Sequence, residues 1–438
     1  MTSPKLTSIA EVKKRHYVSL FSGCMGLDLG LEKANFQPVV CNDNDSACVG
    51  TIKLNRPTLP LLASSIAELR YDDFKQAAGK ELKGIDLVAG GPPCQAFSVF
   101  GKRKGIADER GKMIFEYLRV ISEIQPKVFL MENVRGLFSM SILPKSQKGK
   151  SDDEDPSKFE HGSLLRKLIS SFEEIGYRVD CFVVNSVNYG APQIRERVIL
   201  IGNKYNLEAK FPEPWYSNRK EDGLPVFRTL ADVIGGDFKD PDPDLMNFSP
   251  RKLKYLAMVP AGGNWRSLPI KIQKESMGKT WYLKGGRSAY WRKLSFSFPC
   301  PTLVTMPNHA GTSMCHPSEL RTLTVGEMST VQEFPKEWKF FGKSTEKCRQ
   351  IGNAVPVRLG HVAGEVINKL LEDIHSIAKD KPSPISIESK VIHIRPHVRT
   401  KSYWKNGQAL AGDFCYYEDD ESESLKQENP QQPQLIRV

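Results

Sequence analysis

Apolar residues in the first two hundred positions come in short runs separated by longer stretches of helical spacing. Positions 17–21, 38–41, 85–89, 128–131, 179–187 and 198–201 read as strands. Between them, Leu27, Leu31 and Ala34 share one helical face, as do Ile114, Leu118 and Ile121 within 113–124. A further periodic stretch at 164–175 is closed by Gly176. This alternation predicts an α/β domain with a largely parallel sheet, since a parallel crossover takes about a helix of chain. Ligands of such sheets sit at the carboxyl ends of the strands. From about 204 the periodicity fades and Pro212, Pro214, Gly235, Gly236, Pro241, Pro243, Gly262 and Gly263 break the pattern. A second, irregular domain is therefore expected over 204–340, followed by a helix at 357–374 that returns to the first. The expected division is 1–16 as an N-terminal extension, 17–203, 204–340, 341–376 and a C-terminal extension at 377–438. The Lys/Ser/Asp-rich stretch 145–156 and the Glu/Ser/Gln-rich tail from about 418 predict disorder.

Composition narrows the class. At 40% hydrophobic and 26% charged residues, the 438-residue chain is that of a soluble globular protein. No apolar run is long enough to span a bilayer, and residues 1–15 lack the apolar segment of a secretory signal. Nine scattered cysteines, odd in number and without a CxxC pair, fit a reducing cytosol and neither a disulfide framework nor a structural zinc. A net charge of +11 favours a polyanionic partner. The basic residues cluster at Lys102, Arg103 and Lys104 and again at Arg251, Lys252 and Lys254, and aromatics interleave with them between Trp265 and Trp291.

Candidate chemistry falls at the strand ends. Gly90-Gly91-Pro92-Pro93-Cys94-Gln95 puts one cysteine on a rigid turn after the 85–89 strand. A thiol so placed can be a nucleophile, and it can equally be a small residue packed in a proline-rich turn. Phe21-Ser22-Gly23 and Gly26 join a strand to a helix, and Asp43 lies twenty residues after Gly23 at the next strand end, where a carboxylate accepts ribose hydroxyls. Glu132 and Asn133 follow the 128–131 strand and suit either catalysis or a helix cap. Arg195 and Arg197, one pleat apart, suit a phosphate, a carbonyl oxygen or a surface charge pair. The run 349–356 reads as a cap or as a backbone loop touching the ligand.

Taken in order, these motifs resemble those of the cytosine-C5 DNA methyltransferase family of bacterial restriction-modification systems. The matching elements are Phe21-Ser22-Gly23 with Gly26, Gly91-Pro92-Pro93-Cys94-Gln95, Glu132-Asn133-Val134, and Gln193 to Arg197. Thr302-Leu303, the block from Arg321 to Pro335, and Gly352-Asn353-Ala354-Val355-Pro356 complete the series, so the resemblance covers about residues 17–370. It implies a Rossmann-like, S-adenosyl-L-methionine-dependent methyltransferase domain with a mostly parallel sheet, plus a smaller irregular target-recognition domain. It implies that Cys94 adds to carbon 6 of a cytosine flipped out of duplex DNA, turning carbon 5 into a nucleophile. Glu132 is then the acid near N3, Arg197 meets the carbonyl side, and Arg195 supports the site. By the same resemblance Phe21, Ser22, Gly23, Gly26, Leu27, Asp43, Asn44, Ile66, Pro93, Asn353 and Val355 hold the cofactor. Gln95, Ser98, Lys102, Arg103, Lys104, Thr302 and Leu303 would contact DNA, and no metal is implied. A monomer acting in the bacterial cytoplasm at the nucleoid, paired with a restriction endonuclease, completes the expectation.

Some positions depart from the pattern. Met25 stands where the cofactor turn often has another glycine, Asn44 where an aromatic often covers adenine, and Ser64-Ser65 where an acidic residue is expected before Ile66. The competing readings are an RNA cytosine methyltransferase, a catalytically inactive DNA-binding module, and a flavin or nicotinamide oxidoreductase. The long variable region and the basic loop favour duplex DNA, the intact Cys94, Glu132 and Arg197 argue for an active enzyme, and the glycine turn is not a full GxGxxG.

Overall fold

The computed structural model describes residues 14–93, 109–142, 157, 160–283, 287–377 and 389–394, and the backbone of 404–405, 408–409 and 436–437. Cys94, Gln95, Ser98, Lys102, Arg103 and Lys104 lie outside the described residues, as do 145–156 and the tail from 418 to 435.

The chain opens with β1 (Arg15–Leu20), α1 (Gly26–Lys33), β2 (Phe36–Asn42), α2 (Ser46–Asn55), β3 (Leu61–Leu62), α3 (Tyr71–Ala78) and β4 (Leu87–Gly90). It continues with α4 (Glu109–Ile124), β5 (Val128–Val134), the short α5 (Gly136–Ser139), α6 (Ser163–Glu174), β6 (Arg178–Asn185), β7 (Gln193–Ile194) and β8 (Glu196–Asn203). The irregular stretch holds α7 (Ala231–Ile234), α8 (Pro250–Leu256), α9 (Ile270–Met277) and β9 (Cys300–Pro301). Last come α10 (Val325–Val331), α11 (Ser344–Asn353), α12 (Val357–Ile377), β10 (Lys390–His393), β11 (Trp404–Lys405), β12 (Gln408–Ala409) and β13 (Ile436–Arg437).

One sheet runs in the order β13-β10-β6-β8-β5-β4-β1-β2-β3. Strands β3, β2, β1, β4 and β5 are mutually parallel, and β8 is antiparallel to both of its neighbours. Alternate residues of each strand serve opposite faces. Val18, Leu20, Val88, Phe129 and Met131 pack with Phe74 of α3, with Ile114, Tyr117 and Ile121 of α4, and with Phe172 of α6. Tyr17, Leu87, Ala89, Val128 and Leu130 pack with Leu31 of α1 and with Leu359, Val362, Val366 and Leu370 of α12. Covered on both sides, the sheet presents its strand ends as the free edge for a ligand.

Three features refine the sequence reading. β5 runs beyond 131, so Glu132 and Asn133 are strand residues opposite Ile199 and Val198 of β8 and not the cap of a following helix. The segment 204–340 is not one separate body. Ala209 and Phe211 belong to the α12-side core, and Leu230, Met246, Leu303, Leu323, Val325 and Val331 share a core with Met25, just before α1, Leu29 of α1 and Ile52 of α2. Among the described residues, the part around Phe248, Tyr255, Leu256, Trp265, Leu268, Met277 and Trp291 has a core of its own. Finally, the C-terminal extension adds β10 as a parallel strand beside β6.

Candidate active site

The turn from β1 into α1 carries three left-handed residues, Phe21 (φ 52°), Gly23 (φ 56°) and Met25 (φ 68°). For the two bulky ones this conformation costs about 1–3 kcal/mol each and persists only where contacts over-determine it. Those contacts are present. Ser22 N donates to Asn42 O (3.0 Å), Met25 N to Ser22 O (2.8 Å), and Gly23 N to Asp43 Oδ2 (2.7 Å). Asp43 Oδ1 accepts from Asp45 N (2.9 Å), so the carboxylate is fixed at the end of β2. Burial raises its pKa, and the Asp45 and Gly23 amides oppose the shift. Space beside Gly23 is open, with nothing within 4 Å of where a Cβ would stand. An oriented carboxylate with spare lone pairs next to an open turn fits a ribose diol.

Glu132 lies across the ends of neighbouring strands. Its Oε1 is 2.6 Å from Arg197 Nε, and only 11% and 9% of the two side chains are exposed. Burial is the larger influence on each: it raises the Glu132 pKa against the pull of Arg197 and Arg195, and it lowers that of Arg197 against Glu132. A buried carboxyl whose pKa is raised is better suited to hand over a proton than an exposed one. A Cβ on Gly91 would come 3.0 Å from Glu132 Oε2, and Asn133 Nδ2 donates to Pro92 O (3.1 Å). The Gly91-Pro92-Pro93 turn, one residue short of Cys94, is therefore held against the carboxylate.

Arg195 is tied to the loops around the site. Its side chain is 1% exposed, and its guanidinium donates to Leu303 O (3.0 Å), Gly352 O (2.7 Å) and Gln193 Oε1 (3.4 Å). Through those bonds it fixes the loops that carry Leu303 and Gly352. Thr302 is exposed but its Oγ1 donates to Ile194 O (2.7 Å), and Leu303 is 1% exposed in the core. The Leu303 side chain packs with Met25 and Leu29 in the core while its N–H donates to Gln193 Oε1 (3.0 Å), so that side chain presents almost no surface to DNA.

The remaining expected positions divide. Phe21 and Pro93 are half-buried at the strand ends, and Asn44 and Asn353 are exposed. Ile66 is 3% exposed among Val18, Leu20 and Val40, so only an edge of it could meet a ligand. Leu27 packs toward the α12-side core. Gly26 faces protein: a Cβ there would stand 2.4 Å from Val355 O, so this glycine lets the 354–356 loop close against α1. Gln193, Gln332 and Asn133 are positioning residues that spacing does not single out, although all three sit inside the motifs of the sequence, Gln332 in the Arg321–Pro335 block.

The seven described cysteines are unpaired and buried. Burial pushes the thiols of Cys181, Cys300 and Cys348 up to about 12 and that of Cys315 up to about 11. Cys24, Cys41 and Cys48 are raised further by the same cause. Among the described cysteines, then, each is a poor nucleophile.

The family model described as C-5 cytosine-specific DNA methylase matches residues 16–369, a span that contains every group above. The chain belongs to that family. As a DNA (cytosine-5-)-methyltransferase it is 38% identical over 363 residues to the Type II methyltransferase M.PspPI of Psychrobacter sp. (strain TA137), covering 81% of this chain and 79% of the relative. It is 36% identical over 363 residues to M.Eco47II of Escherichia coli, covering 82% and 80%. Among solved structures, a putative DNA modification methyltransferase encoded within an E. coli prophage aligns with TM-score 0.54 at 23% identity, over 82% of this chain and 100% of that one. The Entamoeba histolytica methyltransferase EhMeth aligns with TM-score 0.55 at 13% identity, over 82% and 99%. At these identities the two structures show the shared α/β methyltransferase fold. Among the described residues, no helix is long and apolar enough to cross a membrane.

Proposed function

We propose that this methyltransferase modifies carbon 5 of a flipped cytosine in duplex DNA through a covalent adduct with Cys94, as the modification half of a restriction system. The observation that carries the reading is the buried Glu132–Arg197 pair set against the Gly91–Pro93 turn that leads into Cys94. Carbon 5 of cytosine is too electron-poor to attack a methyl donor. Bond formation from Cys94 Sγ to carbon 6 pushes electrons through the ring toward N3, where Glu132 supplies a proton, and Arg197 holds that carboxyl in place. S-adenosyl-L-methionine, when bound, supplies the methyl group. A base then takes the carbon-5 proton, the sulfur–carbon 6 bond breaks to release Cys94 as its thiolate, and N3 returns its proton to Glu132 as the ring is restored. Gly23 and Asp43 offer the pocket for the ribose half of that cofactor. Lys102, Arg103 and Lys104, in the loop after Cys94, would meet DNA phosphates. The restriction context is supported by the Type II methyltransferases to which the chain is similar.

The test is direct. Duplex DNA carrying 5-fluorocytosine at the target should trap a denaturation-resistant complex with the wild-type protein and none with Cys94→Ala, because fluorine blocks the final elimination. Bisulfite sequencing of DNA treated with protein and cofactor locates the target beforehand. Undiminished methylation by Cys94→Ala would sink the proposed mechanism.

A further inference from the structure

Three buried polar side chains link the arginine segment to the loop beside the cofactor turn. Gln332, at the end of α10, is fully buried, as is Gln193. Gln332 Nε2 donates to Ile351 O (2.7 Å) and Ala354 O (3.2 Å), and its Oε1 accepts from Gln193 Nε2 (3.0 Å). Gln193 Oε1 in turn accepts from Leu303 N (3.0 Å) and from Arg195 (3.4 Å). Two carbonyls at one end and an amide N–H at the other admit a single orientation of each amide group.

These bonds fall on the carbonyls that the end of a helix leaves orphaned. α11 ends at Asn353, and Ile351 O and Gly352 O are taken by Gln332 and Arg195. The loop so fixed places Val355 O against Gly26, at the root of the turn that holds Phe21, Gly23 and Met25 in left-handed conformations. Strain of that kind survives only while its walls stay in place. At the other end of the chain of bonds, Arg195 lies two residues from Arg197, the partner of Glu132.

We propose that Gln332 is a positioning residue that couples the cofactor turn to the Glu132–Arg197 pair. It braces the 353–356 loop through its own amide and the arginine segment through Gln193. The inference rests on the cofactor reading above. The experiment uses the full chain and S-adenosylhomocysteine, titrated calorimetrically without DNA. Gln332→Met should weaken binding about tenfold, the equivalent of one to two buried hydrogen bonds. Adding Gln193→Met should weaken it little further, since the shared bond is already gone. Leu256→Ala, in α8 and buried in the separate core around Tyr255 and Trp291, should lower the melting temperature without that loss. Hydrogen exchange of the free proteins provides a readout independent of the cofactor: Gln332→Met should speed exchange at 21–30 and 351–357, and Leu256→Ala should not. Wild-type affinity in Gln332→Met with unchanged exchange at 21–30, or an equal loss in Leu256→Ala, would overturn the coupling. A wild-type protein that does not bind S-adenosylhomocysteine would fault the cofactor reading, and exchange alone then decides the coupling. Should Gln332→Met not fold, Gln332→Asn is judged by the same two criteria.

Discussion

Removing Arg197 while leaving Glu132 in place should strand a carboxylate in a dry site. The pair is 2.6 Å apart and about nine-tenths shielded on both sides. Two unit charges at that distance attract by ~6 kcal/mol at an effective dielectric near 20, an upper figure because the guanidinium charge is spread. Breaking a buried pair by deleting one partner costs about 3–5 kcal/mol, so Arg197→Met should lose that much stability at neutral pH. The loss should depend on pH with a definite sign. Burial already raises the Glu132 pKa and Arg197 is the largest opposing influence, so its removal raises that pKa further. A carboxyl with a raised folded pKa contributes stability that is complete below its unfolded value of about 4.3 and fades as pH climbs through the folded value. The deficit of Arg197→Met against wild type should therefore be full near pH 8 and shrink toward about pH 5. Urea denaturation across that range measures it. Glu132→Gln in the same background should recover most of the loss at neutral pH, because a neutral amide is far cheaper to bury than a lone charge. A deficit that stays flat with pH, or no recovery in the double variant, would refute the reasoning.

Two further outcomes follow from the cofactor side. Asp43→Ala removes the acceptor for the Gly23 and Asp45 amides as well as the proposed ribose contact, so S-adenosylhomocysteine affinity should fall by about 10- to 100-fold, measured by calorimetry. Gly26→Ala puts a methyl 2.4 Å from Val355 O, forcing α1 and the 354–356 loop apart. It should destabilise the fold by about 1–3 kcal/mol in urea and weaken cofactor binding at the same time; full affinity in that variant would show that the loop does not wall the pocket.

The position of most groups along the chain could be read without coordinates. Short apolar runs and helical spacing located β1, β2, β4, β5, β6 and β8 to within a few residues, because strand and helix periods are local properties of the chain. Helix α2, by contrast, went unread: its buried Ala47, Cys48, Thr51 and Ile52 make no clean apolar stripe, and its start is set by Asp45 accepting from the Ala47 and Cys48 amides. Helix α10 did carry a readable signal, the Thr324/Glu327 capping box.

Side-chain destinations were another matter. Motif order placed Glu132, Arg195 and Arg197 together, yet nothing in their spacing separates the arginine that meets the carboxylate from the one that caps a helix 157 residues away. Leu303 reads as a DNA contact by resemblance, yet its side chain is core and its N–H is taken by Gln193 Oε1. Gln332 is legible as part of the Arg321–Pro335 motif block, but its partner Gln193, 139 residues distant, is not. Local periodicity fixes which elements form and what stands at their ends. Which buried donor meets which acceptor depends on how those elements pack, since an unpaired polar group in the interior costs too much to leave to chance.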